Sequence, residues 1–210
     1  MKRNGGKECP VPRTNPGSVH KRVVVGISGA SGMAYAVRLL RWMRECPEVE
    51  SHLVMSSSAR LTCKLELPDV PLAEITALAD VVHKEADVGA SIASGSYPTH
   101  AMVIVPCSMA TLAAVATGLS DNLLRRAADV TLKERRRLIV VARETPLHAV
   151  HLRNMLTITE LGGIIVPPLP AFYLQPRSVE DVVDHTVGKI LDLLELPHTL
   201  LQRWGEAPLM

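Results

Sequence analysis

The feature that most constrains the fold is a β-branched run that leads into a glycine-rich turn and an amphipathic segment. The run Val23–Val25 favours a strand that is buried on both faces. Gly26, Gly29 and Gly32 follow, and from Met33 onward apolar side chains recur at helical spacing. The stretch therefore predicts strand, turn and helix. Such a turn directs backbone N–H groups and the positive end of a helix at one point, which suits a phosphate group.

The spacing of these glycines, G-x-x-G-x-x-G, differs from the dinucleotide fingerprint G-x-G-x-x-G. A dinucleotide site also needs an acidic residue after the second strand, but here the predicted strand Ser51–Met55 is followed by Ser56–Ser58. Hydroxyl groups there suit a phosphate better than a ribose diol. We therefore interpret the turn as a mononucleotide site, with FMN favoured. A glycine-rich turn that only packs a helix close to a sheet fits the spacing equally well.

Predicted strands and helices alternate along the rest of the chain, which indicates a parallel sheet covered by helices on both faces. Ligands of such sheets bind beyond the carboxyl ends of the strands. Three polar turns follow predicted strands, at Ser28–Gly32, Ser56–Ser58 and Ser108–Thr111. We expect these turns to converge on one side of the sheet.

The boundaries of several elements follow from local signals. Pro106 and Cys107 are predicted to belong to the turn after the strand Ala101–Val105. A helix is predicted over Leu123–Arg136, capped by Asp121 or Asn122. Pro146 is predicted to open the helix that ends near Gly162.

Composition excludes several classes of protein. The net charge of +2 and the six aromatic residues (two Trp, three Tyr and one Phe) give no case for nucleic-acid binding. The four cysteines are far apart without a C-x-x-C pair, so we expect no metal site, no disulfide framework and a reducing, cytoplasmic location. No apolar run approaches the roughly 20 residues that span a membrane.

The domain organisation is predicted to be simple. Residues 1–21 are rich in Pro and Gly and poor in apolar side chains, so we expect a disordered N-terminal extension. Residues 22–210 have the length of one domain, and 47% of the whole chain is hydrophobic, enough for a sizeable core.

Some charged and aromatic side chains are candidates for chemistry. Arg126, Asp129 and Lys133 share one helical face, where spacing alone favours a solvated ion-pair surface. Arg143 and Glu144 follow a predicted strand at its ligand-binding end. Glu144 fits a proton donor or acceptor there, or simply a cap for the next helix.

Longer motifs make the chain recognisable, and it resembles the UbiX-type flavin prenyltransferases. The likeness runs from about Arg22 to Trp204. Its motifs are GISGASG (Gly26–Gly32), ASGS (Ala93–Ser96), PCSMATLAAVATG (Pro106–Gly118), DNLLRRAADVTLKERR (Asp121–Arg136), RETPL (Arg143–Leu147), HLRNML (His151–Leu156), PPLPAFY (Pro167–Tyr173) and RWGE (Arg203–Glu206).

The resemblance implies a three-layer, doubly wound, mostly parallel α/β sheet of flavodoxin-like or Rossmann type, and a homododecamer. It also implies a metal-independent enzyme that joins a dimethylallyl group from dimethylallyl phosphate to N5 and C6 of reduced FMN. The product, prenylated FMN, is the cofactor of a partner decarboxylase of the UbiD type.

The resemblance also implies roles for individual residues. FMN-binding positions are Gly29, Ala30, Ser31, Ser56, Ser108, Met109, Ala110, Thr111, Arg126 and Arg143. Donor-binding positions are Lys133, Tyr173 and Lys189, and active-site positions are Ser31, Glu66, Glu144 and Trp204. Lys189 is often arginine in relatives, and lysine keeps the charge but lacks the bidentate fork.

Two other functions are compatible with these motifs. One is a flavin-dependent decarboxylase that acts directly on an aromatic acid or a peptidyl cysteine, although such relatives carry a PxSANT-like turn where this chain has PCSMAT. The other is a non-catalytic flavin carrier, which needs the flavin-binding turns but neither Glu144 nor Lys189.

Overall fold

The computed structural model describes residues 21–201, and these residues form a parallel sheet with helices on both faces. The described strands are β1 (Lys21–Ile27), β2 (Val49–Met55), β3 (Val81–His83), β4 (Ala101–Cys107), β5 (Arg137–Ala142) and β6 (Ile164–Ile165). Their order is β3-β2-β1-β4-β5-β6, and every neighbouring pair is parallel. This is the doubly wound order of the Rossmann type, so the predicted fold class is confirmed.

The α-helices within residues 21–201 form the two outer layers. They are α1 (Met33–Glu45), α2 (Ser57–Glu66), α3 (Leu72–Thr76), α4 (Met109–Ala116), α5 (Leu123–Lys133), α6 (Ala149–Glu160) and α7 (Val179–Leu193). Short 3-10 helices lie at Ser91–Ala93 and Phe172–Leu174. None of these helices has the length and apolar character that crossing a membrane requires.

Two apolar cores follow from the alternation of side chains along the strands. On one face, Val23, Val25 and Ile27 of β1 pack with α1, α2, α3 and α7. On the other face, Val24 of the same strand packs with α4, α5 and α6. The sheet is therefore the middle of three layers.

The two ends of the sheet have different surroundings. We call the end formed by Ser28, Ser56 and Ser108, which directly follow β1, β2 and β4, the carboxyl rim. We call the end formed by Lys21 and Arg137, the first residues of β1 and β5, the amino edge. The seven-residue strand β4 separates the two ends by roughly 20 Å, at about 3.3 Å per residue.

Several predicted boundaries were wrong. Pro106 and Cys107 continue β4 and do not belong to the turn, and both are buried. α5 ends at Lys133, because Arg135 adopts a left-handed φ of 57° that a helix cannot continue. α6 begins at Ala149 and not at Pro146, because the side chain of His148 accepts the Val150 N–H and caps the helix there.

The N-terminal boundary lies close to the expected one. Lys21 is already the first residue of β1, and its N–H donates to the carbonyl of Glu48. The extension predicted for residues 1–21 otherwise lies outside the described residues.

Candidate active site

Three turns meet at the carboxyl rim and are joined by hydrogen bonds. The Ser28 hydroxyl donates to the Pro106 carbonyl at 3.1 Å and accepts the Ser108 N–H at 2.7 Å. The Ser56 N–H donates to the Ile27 carbonyl at 2.9 Å. The predicted convergence of the turns is confirmed, and it occurs where the strand order reverses, between β1 and β4.

The first turn lies very close to the second. A Cβ atom on Gly29 would come within 2.5 Å of both the Cβ and the Oγ of Ser58, so a side chain at position 29 requires the turns to separate. Gly32 has a φ of 117° and is the N-cap of α1, a conformation that suits glycine. Glycine at both positions therefore has a local structural cause.

Hydroxyl side chains cap the helices that start at the second and third turns. Ser56 accepts the Ala59 N–H at the start of α2, and Ser108 accepts the Thr111 N–H at the start of α4. Ser108 also donates to the Thr111 hydroxyl at 3.1 Å. The N-termini of α1, α2 and α4 thus all begin at the carboxyl rim, with their dipoles positive there.

A carboxylate closes the N-terminus of α1. Glu66, the last residue of α2, accepts the Gly32 N–H at 3.0 Å and the Met33 N–H at 2.8 Å. These N–H groups have no partner inside the helix, and a negative charge is favourable at that end. The structure therefore brings Glu66 next to the first turn and Ser31.

A second carboxylate, which the sequence analysis missed, joins α2 to α5. Glu85 accepts the Ser57 N–H at 2.7 Å and the side-chain amide of Asn122 at 3.2 Å. Its own carbonyl accepts the Leu123 N–H at 2.8 Å. A glutamate in a loop after a short strand carries no motif that predicts such a bridge.

Arg143 and Glu144 lie at the carboxyl rim directly after β5, as expected. The Arg143 N–H donates to the carbonyl of Cys107, which places Arg143 beside the third turn, and its side chain is exposed. Glu144 is also exposed and accepts the N–H of Thr145. Because His148 caps α6, the alternative role of Glu144 as a helix cap is wrong.

Tyr35 is a second residue that the sequence analysis missed. A Cβ atom on Gly32 would meet the Tyr35 ring at 2.9 Å, so this ring covers the first turn. Burial raises the pKa of the Tyr35 phenol, against smaller opposing effects of a hydrogen bond to Thr186 and of the Arg143 charge. Tyr35 therefore carries a proton at neutral pH and links α1, α7 and the end of β5.

The predicted face of Arg126, Asp129 and Lys133 is only partly present. Arg126 pairs with Asp129 at 2.6 Å and also donates to the Ala93 carbonyl at 3.2 Å. Lys133 pairs instead with its neighbour Glu134, and its side chain is 45% exposed. Lys133 lies about 15 Å along α5 from the end at the carboxyl rim, at a rise of about 1.5 Å per residue. Lys133 is therefore close to the amino edge of its own chain.

Tyr173 and Lys189 lie on the exposed surface of the α7 layer. Tyr173 is in the short helix Phe172–Leu174 and is 56% exposed. The Lys189 side chain is 54% exposed and lies 3.8 Å from the Asp192 carboxylate. Within one chain, Lys133 on α5 and Lys189 on α7 thus lie on opposite faces of the sheet. Trp204 lies outside the described residues.

The hydrogen-bond donors at the carboxyl rim suit a mononucleotide. It combines three helix N-termini, the hydroxyls of Ser31, Ser56, Ser108 and Thr111, and a close approach at Gly29 that a side chain would fill. Ala110 is exposed in the third turn, next to the half-buried Met109, while Ala30 is half-buried in the first. Between residues 21 and 201, no group of three or more His, Cys, Asp or Glu side chains is placed to hold a metal ion.

Comparison with known proteins gives a consistent result. Residues 13–203 match the Flavoprotein family model. The chain is 54% identical over 189 residues to flavin prenyltransferase UbiX of Salmonella typhi, which covers 89% of this chain and 100% of the relative. It is also 54% identical over 184 residues to a probable UbiX-like flavin prenyltransferase of a Streptomyces species, covering 88% and 92%.

Solved structures agree with the sequence relatives. The crystal structure of AnUbiX in complex with FMN and dimethylallyl pyrophosphate superposes with a TM-score of 0.87 at 47% identity, covering 90% of this chain and all of the other. A dodecameric FMN-dependent UbiX-like decarboxylase from Escherichia coli superposes with a TM-score of 0.85 at 48% identity, covering 87% and 98%. The chain therefore belongs to the UbiX-like flavin prenyltransferase family.

Proposed function

We propose that this chain is a flavin prenyltransferase. It transfers a dimethylallyl group from dimethylallyl phosphate to N5 and C6 of reduced FMN and gives prenylated FMN, with no metal ion. The observation that carries the proposal is the junction of three hydroxyl-bearing turns at the strand-order switch point, in a chain that belongs to this family. Bound reduced FMN supplies the nucleophilic atoms, and the residues of the chain position it and stabilise the leaving group.

The turns hold the flavin nucleotide. Gly29, Ala30 and Ser31 contact it from the first turn, Ser56 from the second, and Ser108, Met109, Ala110 and Thr111 from the third. Arg126 and Arg143 complete this set. The hydrogen bonds between Ser28, Pro106 and Ser108 hold the turns in one geometry before the ligand binds, which lowers the ordering cost of binding.

The leaving phosphate needs positive charge, because the C–O bond of the donor breaks with both electrons on oxygen. Lys189 and Lys133 supply this charge, and the Tyr173 hydroxyl donates a hydrogen bond. The dimethylallyl group carries positive charge as the bond breaks, so an aromatic ring such as that of Trp204 stabilises it.

Lys133 acts in the pocket of another copy of the chain. It lies near the amino edge, roughly a strand length from the turns of its own chain, and a lysine side chain cannot span that distance. A relative of 48% identity is a dodecamer, which supports the same homododecameric assembly here. The donor pocket is then completed between neighbouring copies.

Proton transfer accompanies the formation of the new ring. The bonds to N5 and C6 replace an N–H and a C–H bond, whose hydrogens leave as protons. One carbon of the dimethylallyl C=C bond takes up a proton when the other carbon bonds to C6. Glu144, exposed beside Arg143, is our candidate proton carrier, together with Ser31. Glu66 holds the N-terminus of α1 next to Ser31 and so orients this part of the pocket.

The product is released to a UbiD-type decarboxylase, which we propose as the physiological recipient. A cytoplasmic location stays a prediction from the cysteine usage.

The decisive experiment incubates the purified chain with reduced FMN and dimethylallyl phosphate without oxygen. Mass spectrometry of the flavin is expected to show the added five-carbon unit, and the absorption spectrum is expected to change with it. Binding of FMN with no change of mass would support a carrier instead. Release of carbon dioxide from an aromatic acid by the chain alone would support direct decarboxylation. One relative is described as a decarboxylase.

The proposed role of Glu144 has its own test. Glu144→Gln removes the ionisable group and keeps the size of the side chain. Product formation is expected to fall by about 100-fold, within the usual range for general acid–base catalysis. An unchanged rate would remove Glu144 from the mechanism.

A further inference from the structure

Three arginines bind the segment that contains the ASGS motif, residues 93–99. Arg126 donates to the Ala93 carbonyl and Arg22 to the Pro98 carbonyl, and Arg136, next to the amino edge, makes the largest share of the bonds. Arg136 donates from Nη2 to the Gly95 carbonyl at 2.7 Å, and from Nη1 to the Tyr97 carbonyl at 2.9 Å and the Thr99 hydroxyl at 3.1 Å. One planar guanidinium thus binds three acceptors within five residues. Arg136 is half-buried, between the end of α5 and the start of β5.

These bonds place the backbone of Gly95 against the Lys133–Glu134 ion pair. A Cβ atom on Gly95 would lie 2.7 Å from Lys133 Nζ and would overlap the Glu134 carboxylate. The φ of Gly95 is not in the left-handed region, so a methyl group at this position would act by displacing the ends of the Lys133 and Glu134 side chains. Arg136 therefore determines how closely the segment approaches Lys133.

We propose that Arg136 is a positioning residue for the isoprenoid donor, an inference that rests on the proposed role of Lys133 as a phosphate ligand. Arg136 holds Gly95 against the ion pair and thereby limits where the Lys133 ammonium group can lie. A free lysine side chain loses rotamer entropy when it binds an anion, and a side chain that is already restricted loses less. Arg136 thus raises the affinity for the phosphate of the donor without touching it.

Two substitutions test the inference by different physical routes. Arg136→Ala removes all three hydrogen bonds to the segment. Gly95→Ala keeps the arginine but pushes the added methyl group against Lys133 and Glu134. Arg136→Lys keeps the charge but cannot reproduce the planar fork, so it is expected to rescue only part of the function.

Arg125→Ala is the matched control, because Arg125 lies on α5, the helix that precedes Arg136, and pairs at 2.7 Å with the exposed Asp121, away from the segment. Steady-state kinetics with reduced FMN and dimethylallyl phosphate give KM for the donor and kcat separately. Arg136→Ala and Gly95→Ala are expected to raise KM for the donor by about tenfold, with kcat and the Kd for FMN changed by less than about twofold. Arg125→Ala is expected to match the wild type.

The outcomes separate this inference from the proposed function. If the wild type forms no prenylated flavin, the proposed function fails. If the wild type is active and both variants keep its donor KM, Arg136 does not position the donor site. An equal loss of kcat and FMN affinity in both variants would indicate a general structural role and would also overturn the inference. Gly95→Ala keeps the test decisive if Arg136→Ala does not fold.

Discussion

The carboxyl rim and the amino edge are each held together by a different kind of hydrogen bond. At the carboxyl rim, short hydroxyl side chains and backbone N–H groups are tied to one another, as in the bonds of Ser28 to Pro106 and Ser108. At the amino edge, long basic side chains tie separate segments together: Arg137 binds the Leu193 carbonyl and Glu195, and Arg136 binds residues 95–99.

The two ends suit the two substrates of the proposed reaction in different ways. A flat heteroaromatic ligand needs a rigid surface that lies close to it, and backbone groups provide one. The phosphate of an isoprenoid donor needs concentrated positive charge, and we propose that Lys133 and Lys189 provide it. Substitutions at the two ends of the sheet should therefore alter different binding steps, and the following predictions separate them.

The largest effect is expected at the closest approach of two turns. Gly29→Ala forces the first turn away from Ser58, and overpacking of this kind costs about 1–3 kcal/mol. Isothermal titration is expected to show FMN affinity about 100-fold weaker, near the upper end of that range. Gly89→Ala is the control, because its new methyl group meets only Asp87 Oδ1, at 3.7 Å. Equal FMN affinity in the two variants would refute the idea that the turns must stay in contact.

The next effect concerns the carboxylate that closes α1. Glu66→Ala leaves the N–H groups of Gly32 and Met33 without their charged acceptor, so the free energy of unfolding should fall by about 2 kcal/mol. Urea denaturation at constant protein concentration measures it. Glu160→Ala, at an exposed position at the end of α6, is expected to change the value by less than about 0.5 kcal/mol. If Glu66→Ala lowers the free energy of unfolding no more than Glu160→Ala does, water replaces the carboxylate as the acceptor of these N–H groups.

A smaller effect compares two helix caps. Ser108→Ala and Ser178→Ala each remove an N-cap hydroxyl, from α4 and α7, and each should cost about 1 kcal/mol of stability. Only Ser108→Ala is expected to weaken FMN binding, since Ser178 is not in any of the three turns. If both variants bind FMN as the wild type does, the third turn does not contact the flavin.

The smallest effect is a pH dependence at His52, in the middle of β2 and beside Tyr97. Burial lowers the pKa of His52, against a smaller opposing effect of the Glu50 carboxylate. The unfolded chain therefore takes up the proton more readily, with an ordinary histidine pKa of about 6.5. This contribution to stability is fully present above that pH and is lost as the pH falls toward the lower folded pKa.

Hydrogen exchange measures this effect locally. Tyr97 contacts His52 at 3.3 Å, so protection near residue 97 should fall, as the pH drops below about 6.5, before protection at Ser108 does. In a His52→Asn variant, the pH dependence of protection near residue 97 should become more similar to that at Ser108. A uniform loss of protection would contradict a local origin.

Local signals in the sequence were sufficient to predict the sheet and the three turns. The β-branched run, the glycines and the serines each affect the backbone conformation of only a few neighbouring residues. Their pattern therefore predicts both the strands and the places where the strands end. The start of α6 could not be predicted in this way, because the unusual cap by His148 overrides the preference of Pro146 for a first turn.

Contacts between distant residues could not be predicted from spacing. Glu66 reaches Gly32 across 34 residues, and Glu85 reaches Asn122 across 37. The face of Arg126 and Lys133 resembled a solvated surface, but Arg126 is half-buried and bound to the Ala93 carbonyl, and of the two only Lys133 is exposed in a single chain. Its proposed role requires another copy, and nothing in the spacing of a helix indicates which faces meet in an assembly.

Cys107 ends β4 directly before the third turn, and burial raises the pKa of its thiol to about 12. At neutral pH almost no thiolate is present, and the thiolate is the form that attacks electrophiles and oxidants. The Cys107 sulfur atom, although it lies beside the turn predicted to bind a flavin, therefore has low reactivity at neutral pH. Preparations of the protein should tolerate air and alkylating reagents at this position without losing the integrity of the turn.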